Sequence, residues 1–137
     1  MTTTAIASRQ YVTLDDFMTG LLASLAVEGI TKISIRGTAF YAATEAAFKQ
    51  MRDDSVRHNL TLRFRVSRNA VYGDSADVRE GITKAVQRDL ISLDNPVYLD
   101  MTLKVTADDG PAYLQSLPGG PDAYREAAVA FLAAYAH

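Results

Sequence analysis

Apolar residues recur every three or four positions in several stretches of this chain, which is the spacing of an amphipathic helix. The most regular stretch begins at Leu14, behind a capping-box pattern formed by Thr13 and Asp16, and stops at Gly29. The pattern predicts about five helices, the other four lying at residues 38–53, 76–90, 108–117 and 124–135.

Between these helices, apolar and polar residues alternate, which predicts half-buried strands. One short strand lies at residues 30–35, and a longer one lies at 60–66. Residues 91–93 and 97–105 flank turn-forming residues at 94–96, so they form a hairpin directly after the third helix. Helices combined with a small antiparallel sheet predict an α+β fold.

The composition is that of one soluble globular domain, with 137 residues of which 48% are hydrophobic and 22% charged. We expect a flexible segment at residues 1–12 and a single domain at 13–137, in which 13–105 form the α+β part and 106–137 the C-terminal helices. No apolar run approaches the length of about 18 residues that spans a bilayer, and the chain starts without a secretory signal pattern. A cytoplasmic protein without membrane contact is therefore predicted.

The order of the elements resembles that of the winged helix-turn-helix domains. Residues 75–90 form a capped helix with a polar outer face and resemble a recognition helix, and residues 91–105 resemble the wing that follows it. The resemblance is topological, covers residues 13–105 and includes no motif of one particular family. It implies a winged-helix-like α+β fold that binds duplex DNA with the recognition helix in the major groove.

The distribution of charge supports the same expectation. Residues 49–68 carry six cationic side chains and two carboxylates, a local excess of +4 in a chain whose formal net charge is −2. We therefore predict a bacterial regulatory or accessory protein, acting in transcription regulation, that binds duplex DNA weakly or as a homodimer and is not an enzyme. The residues predicted to contact DNA are Arg63, Arg65, Arg68, Arg79, Thr83, Lys84, Gln87 and Arg88.

A second interpretation of the same residues leads to a protein partner. Arg63 and Arg65 also fit the solvent face of an amphipathic strand, and the chain would then be a non-catalytic protein-interaction module, either a homo-oligomer or a subunit of a larger complex. Its interface would include the C-terminal apolar stripe of Tyr124, Phe131 and Tyr135. DNA binding requires the predicted cations to share one exposed face, whereas a protein interface leaves them dispersed.

The sequence offers few groups for catalysis or for binding a metal. Cysteine is absent and histidine occurs twice, so no thiolate nucleophile, metal site or cofactor is predicted. Gly73, Asp74 and Ser75 resemble the nucleophile block of GDS-type esterases, and only His58 and His137 are available as the base. The simpler interpretation makes Asp74 or Ser75 the N-cap of the third helix and His58 an exposed loop side chain.

Overall fold

The computed structural model describes residues 10–35, 38–71, 73–93 and 100–135. These residues form five helices and two small sheets, which confirms the predicted α+β fold class. Within these ranges, no helix combines the length and apolar character needed to span a bilayer. The helices are α1 (Leu14–Val27), α2 (Ala39–Asp53), α3 (Ala76–Gln87), α4 (Gly110–Ser116) and α5 (Pro121–Tyr135). The strands are β1 (Gln10–Val12), β2 (Lys32–Ser34), β3 (Leu60–Leu62), β4 (Ile91–Ser92) and β5 (Asp100–Leu103).

Three of the strands form an antiparallel sheet in the order β2-β5-β4. Ile91 of β4 lies opposite Leu103 of β5, in the pairing that the predicted hairpin requires. On the other side of β5, Ile33 of β2 lies opposite Met101. The turn predicted at residues 94–96 lies outside the described residues. This arrangement of helices and strands is consistent with an α+β fold of winged-helix type.

The parallel pair of β1 and β3 forms a second sheet that the sequence pattern did not predict. Val12 is fully buried, so residues 10–12 belong to the folded body and not to the flexible segment predicted at 1–12; residues 1–9 lie outside the described ranges. The strand predicted at residues 60–66 pairs only as far as Leu62. Its last hydrogen bond to β1 runs from the Arg63 N–H to the Val12 carbonyl oxygen at 2.8 Å, because β1 ends at Val12, where the chain turns into α1.

Helix α5 packs against α2 and closes the core. Tyr124 and Phe131 are fully buried, and the ring of Phe131 meets that of Phe40 edge-on with centroids 5.7 Å apart. Tyr135 is half-buried, stacks on Phe131 at 5.6 Å and donates its hydroxyl to the Ser34 carbonyl oxygen at 2.9 Å. The assignment of this stripe to a partner interface is therefore wrong for Tyr124 and Phe131, because both side chains are covered by the protein's own core.

Gly20 and Gly81 allow close packing between α1 and two of its neighbouring helices. A Cβ atom at Gly20 would overlap the ring of Tyr124, whose hydroxyl donates to the Pro118 carbonyl oxygen at 2.7 Å. A Cβ atom at Gly81 of α3 would lie 2.8 Å from Cγ of Met18 on α1. Both α5 and α3 therefore approach α1 at positions that have no side chain.

Candidate nucleic-acid interface

Helix α3 begins at an N-cap, as the sequence predicts. The Ser75 hydroxyl oxygen accepts a hydrogen bond from the Val78 N–H at 3.2 Å, and Ser75 is buried. The capping interpretation of Ser75 is thus confirmed, and its hydroxyl is bonded to its own helix. Val78, Ile82 and Ala85 anchor the inner side of α3 in the core. The exposed residues of this segment include Arg79, Glu80, Thr83, Lys84, Gln87 and Arg88.

The extended chain after β3 presents two arginines to solvent. Phe64 packs between the rings of Phe17 and Phe48, with centroid distances of 5.1 and 5.3 Å, while Arg63 and Arg65 on either side of it are exposed. The guanidinium carbon of Arg63 lies 4.2 Å from the centroid of the Tyr11 ring, which positions this cation by a cation–π contact. The predicted alternation of inward apolar and outward polar side chains therefore continues after the end of β3.

One contact joins this segment to α3. The backbone N–H and the hydroxyl of Ser67 both donate to Oδ2 of Asp77, at 3.3 and 3.4 Å. Lys84 lies seven residues after Asp77, which places it on the same side of the helix and about 10 Å further along its axis. Arg88, one turn beyond Lys84, donates from Nη1 to the Thr19 hydroxyl of α1 at 2.8 Å. The segment is thus joined to the first turn of α3 through Ser67 and Asp77.

Two of the predicted DNA contacts are already neutralised within the protein. Arg68 Nε lies 3.0 Å from Oε1 of Glu45, and Arg79 Nη1 lies 2.5 Å from Oδ2 of Asp74. Thr83 donates its hydroxyl to the Arg79 carbonyl oxygen at 3.0 Å. These three side chains have local bonding partners, which reduces the set of cations available to DNA.

The remaining cations of the predicted set are exposed and have no ion-pair partner among the described residues. In the described ranges, no carboxylate lies within 4.0 Å of the cationic group of Arg63, Arg65, Lys84 or Arg88. Glu80 is an exposed carboxylate on the same helix, so the surface is not uniformly basic. In the described residues, this part of the chain thus carries both ion-paired cations and cations without a carboxylate partner.

His58 is not the exposed loop side chain expected from the sequence. Its side chain is 12% exposed, and Nε2 lies 3.0 Å from Oε1 of Glu126 on α5. Arg57 donates from Nη2 to the same oxygen at 2.6 Å. Glu126 lies 68 residues from His58 in the sequence, among other charged residues of α5. No local sequence pattern therefore predicts that the two side chains meet. His137, the other histidine, lies outside the described residues.

Hydrogen bonds from His58 and then from Arg57 hold the pKa of Glu126 below its usual value of 4.5. A carboxyl whose pKa is lowered by folding stabilises the protein above its usual pKa, and this stabilisation disappears as the pH falls through the lowered pKa. We expect Glu126→Gln to lower the free energy of unfolding at neutral pH by less than about 1 kcal/mol, since the pair is partly exposed. The difference in unfolding free energy between Glu126→Gln and the wild type should shrink at acid pH, where the wild-type carboxyl is protonated too, as measured by urea unfolding.

The matched control for this pH dependence is Asp53→Asn. Asp53 is a carboxylate whose side chain is 70% exposed, and it pairs at 3.4 Å with its neighbour Arg52. We expect little change in stability at either pH for this variant. If Glu126→Gln lowered the free energy of unfolding equally at neutral and acid pH, the hydrogen bonds from His58 and Arg57 would not be the cause of the lowered pKa of Glu126.

Comparison of the chain with family models, with curated proteins and with solved structures found no match. The candidate functional site is therefore defined by the chain's own surface. This site comprises the exposed side of α3 and residues 63–67. In the described part of the chain, both carry cations that have no carboxylate partner.

Proposed function

We propose that this protein is a non-enzymatic regulatory or accessory protein of the cytoplasm that binds duplex DNA through α3 and residues 63–65. The observation that carries the proposal is the set of exposed cations Arg63, Arg65, Lys84 and Arg88, which have no carboxylate within 4.0 Å in the described part of the chain. Exposed cations without a carboxylate partner attract a polyanion, and the release of its condensed counterions favours binding.

Two members of this set are held in position before any ligand arrives. Arg63 is placed by the ring of Tyr11, and Arg88 by the hydroxyl of Thr19. A guanidinium group has five N–H donors, so each arginine retains donors for a phosphate oxygen. Positioned donors lose less conformational entropy on binding. Lys84 and Gln87, on the exposed side of α3, are then the side chains that reach base edges in the major groove.

Binding is tested by fluorescence anisotropy with a mixed-sequence duplex over a salt series. Four phosphate contacts predict a slope of log K against log salt of about −3.6. The absence of binding even at low salt would overturn the proposal and would favour the alternative of a protein-interaction module.

The replacement of Lys84 and Arg88 together by Ala is expected to weaken DNA binding by about tenfold or more and to reduce the salt slope by about 2. The reason is the removal of two cations that have no carboxylate partner in the described structure. Thermal unfolding should change little, because both side chains are exposed and Thr19 keeps its bond to the Asp15 carbonyl oxygen at 2.8 Å.

The matched control removes two cations that are paired with carboxylates. Lys49 and Arg52 lie on the exposed side of α2 and pair with Glu45 and Asp53. Lys49→Ala combined with Arg52→Ala changes the net charge by the same amount and should leave the salt slope unchanged. An equal loss of affinity in both double variants would show that attraction depends on net charge and not on the α3 surface.

A further inference from the structure

Three side chains with metal-binding groups meet where the turn after α2 touches α5. Asp54 and His58 come from the turn and Glu126 from α5, and one potential ligand atom of each lies within 4.8 Å of the others. We propose that these residues bind a single divalent transition-metal ion of the Zn²⁺ class. The proposal is independent of DNA binding, because it rests on a different surface of the molecule.

The local backbone sets two of the ligands on one side of the turn. The His58 N–H donates to the Asp54 carbonyl oxygen at 3.1 Å, which closes one helix-like turn and places the two side chains four residues apart on the same side. Asn59 follows in the left-handed region, with φ of 58°, and ends this turn. Gln50 donates to Oδ2 of Asp54 at 2.5 Å and orients that carboxylate. The His58 ring is 12% exposed, so it is largely fixed by its surroundings.

The donor set indicates the class of ion. An imidazole nitrogen combined with carboxylate oxygens suits Zn²⁺ and its neighbours in the transition series, whereas Mg²⁺ and Ca²⁺ prefer oxygen ligands alone. Ligands of a tetrahedral zinc ion lie about 3.4 Å from one another, given zinc–ligand distances near 2.1 Å. Nε2 of His58 and Oε1 of Glu126 are already 3.0 Å apart, so the Asp54 carboxylate makes the main adjustment toward the ion. The side chains of Asp54 and Glu126 are 21% and 38% exposed, so they have room to rotate.

Arg57 already supplies a positive charge at this position. Its Nη2 lies 2.6 Å from Oε1 of Glu126 and 3.2 Å from Oδ2 of Asp54, between the same two carboxylates that would bind the ion. The Arg57 side chain is 58% exposed, so it can move into solvent when a divalent ion takes its place. Arg57 is thus a competitor of the metal, and its removal should strengthen metal binding.

The site also borders open space on both sides of α5. Glu126 lines a groove of about 490 Å³ with residues of α1, and a smaller one of about 280 Å³ with Gln50 of α2. Three protein ligands leave a tetrahedral ion with one open position. Water or a small ligand in either groove can fill that position.

The test uses untagged protein and measures competition for Zn²⁺ with a chromophoric chelator, with Co²⁺ absorption as a second readout. We expect one ion to bind with micromolar affinity, and no competition from Mg²⁺. His58→Gln should weaken Zn²⁺ binding by at least about tenfold, whereas His137→Gln, which changes the other histidine of the chain, should not. Arg57→Gln should tighten binding several-fold.

A matched pair of carboxylate variants completes the design. Asp54→Asn should weaken Zn²⁺ binding, and Asp53→Asn, at the neighbouring position, should not. The proposal is overturned if the wild-type protein binds no Zn²⁺, if His58→Gln binds as tightly as the wild type, or if His137→Gln abolishes binding. Should His58→Gln unfold, the NMR signals of the two imidazole rings in the wild-type protein identify which histidine responds to Zn²⁺.

Discussion

The substitution Phe131→Ala is expected to lower the free energy of unfolding by about 3 to 5 kcal/mol, which is the range for a large aromatic residue removed from a core. Phe131 is fully buried and contacts two other rings, Phe40 edge-on at 5.7 Å and Tyr135 in a stack at 5.6 Å. The smaller side chain leaves a cavity between α2 and α5. Urea unfolding monitored by circular dichroism measures the effect.

Val129 provides the control on the same helix. Its side chain is 68% exposed, and Val129→Ala should change the free energy of unfolding by no more than about 0.5 kcal/mol. The melting temperatures of both variants should be independent of protein concentration, because Phe131 belongs to the core of one chain. If Phe131→Ala had only a small effect on the free energy of unfolding and the melting temperature depended on protein concentration, Phe131 would instead lie in a dimer interface.

Gly20→Ala is expected to destabilise the protein by about 2 kcal/mol or more, although alanine is the better helix former. The new methyl group would overlap Cδ1 and Cγ of Tyr124, a fully buried ring whose hydroxyl is bonded to Pro118. Overpacking typically costs about 1 to 3 kcal/mol, and overlap with a buried aromatic ring belongs at the upper end of that range. The gain in helix propensity offsets only about 1 kcal/mol. Thermal and urea unfolding provide the measurement.

Gly81→Ala is the matched comparison, since it makes the same change inside α3. Its nearest neighbour is Met18, an unbranched side chain that adapts more readily than an aromatic ring. We expect its cost to be less than half that of Gly20→Ala. In a Tyr124→Ala background, Gly20→Ala should lose most of its effect. If Gly20→Ala destabilised the protein equally with and without the Tyr124 ring, the overlap with that ring would not be the cause of the destabilisation.

The elements that the sequence predicts correctly are those with strong local signals. The capping pair of Thr13 and Asp16 is present, with its two hydrogen bonds at 3.1 and 3.2 Å, and Gly29 adopts a positive φ of 88° just after α1. Ser75 caps α3, and the hairpin follows that helix directly. Spacing, caps and glycines act over a few residues, so they are visible without knowledge of the fold.

The features that escape prediction depend on distant segments. Strand β1 has three residues, too few for a period-two pattern, and its partner β3 lies 50 residues further on. The pairing of His58 with Glu126 spans 68 residues, and that of Arg68 with Glu45 spans 23. Tertiary structure therefore decides which cations of the predicted DNA surface are neutralised. A count of charges along the chain overestimates the number of cations available to DNA.

The packing of α2 against α5 has a consequence during synthesis. Helix α2 ends at Asp53 and α5 begins at Pro121, so a ribosome that adds about 5 to 20 residues per second needs roughly 3 to 14 seconds to reach α5 after finishing α2. Throughout that interval the apolar stripe of Phe40, Ala43, Ala47 and Met51 lacks the helix that covers it. The nascent chain therefore presents a chaperone-accessible surface that the finished protein does not have.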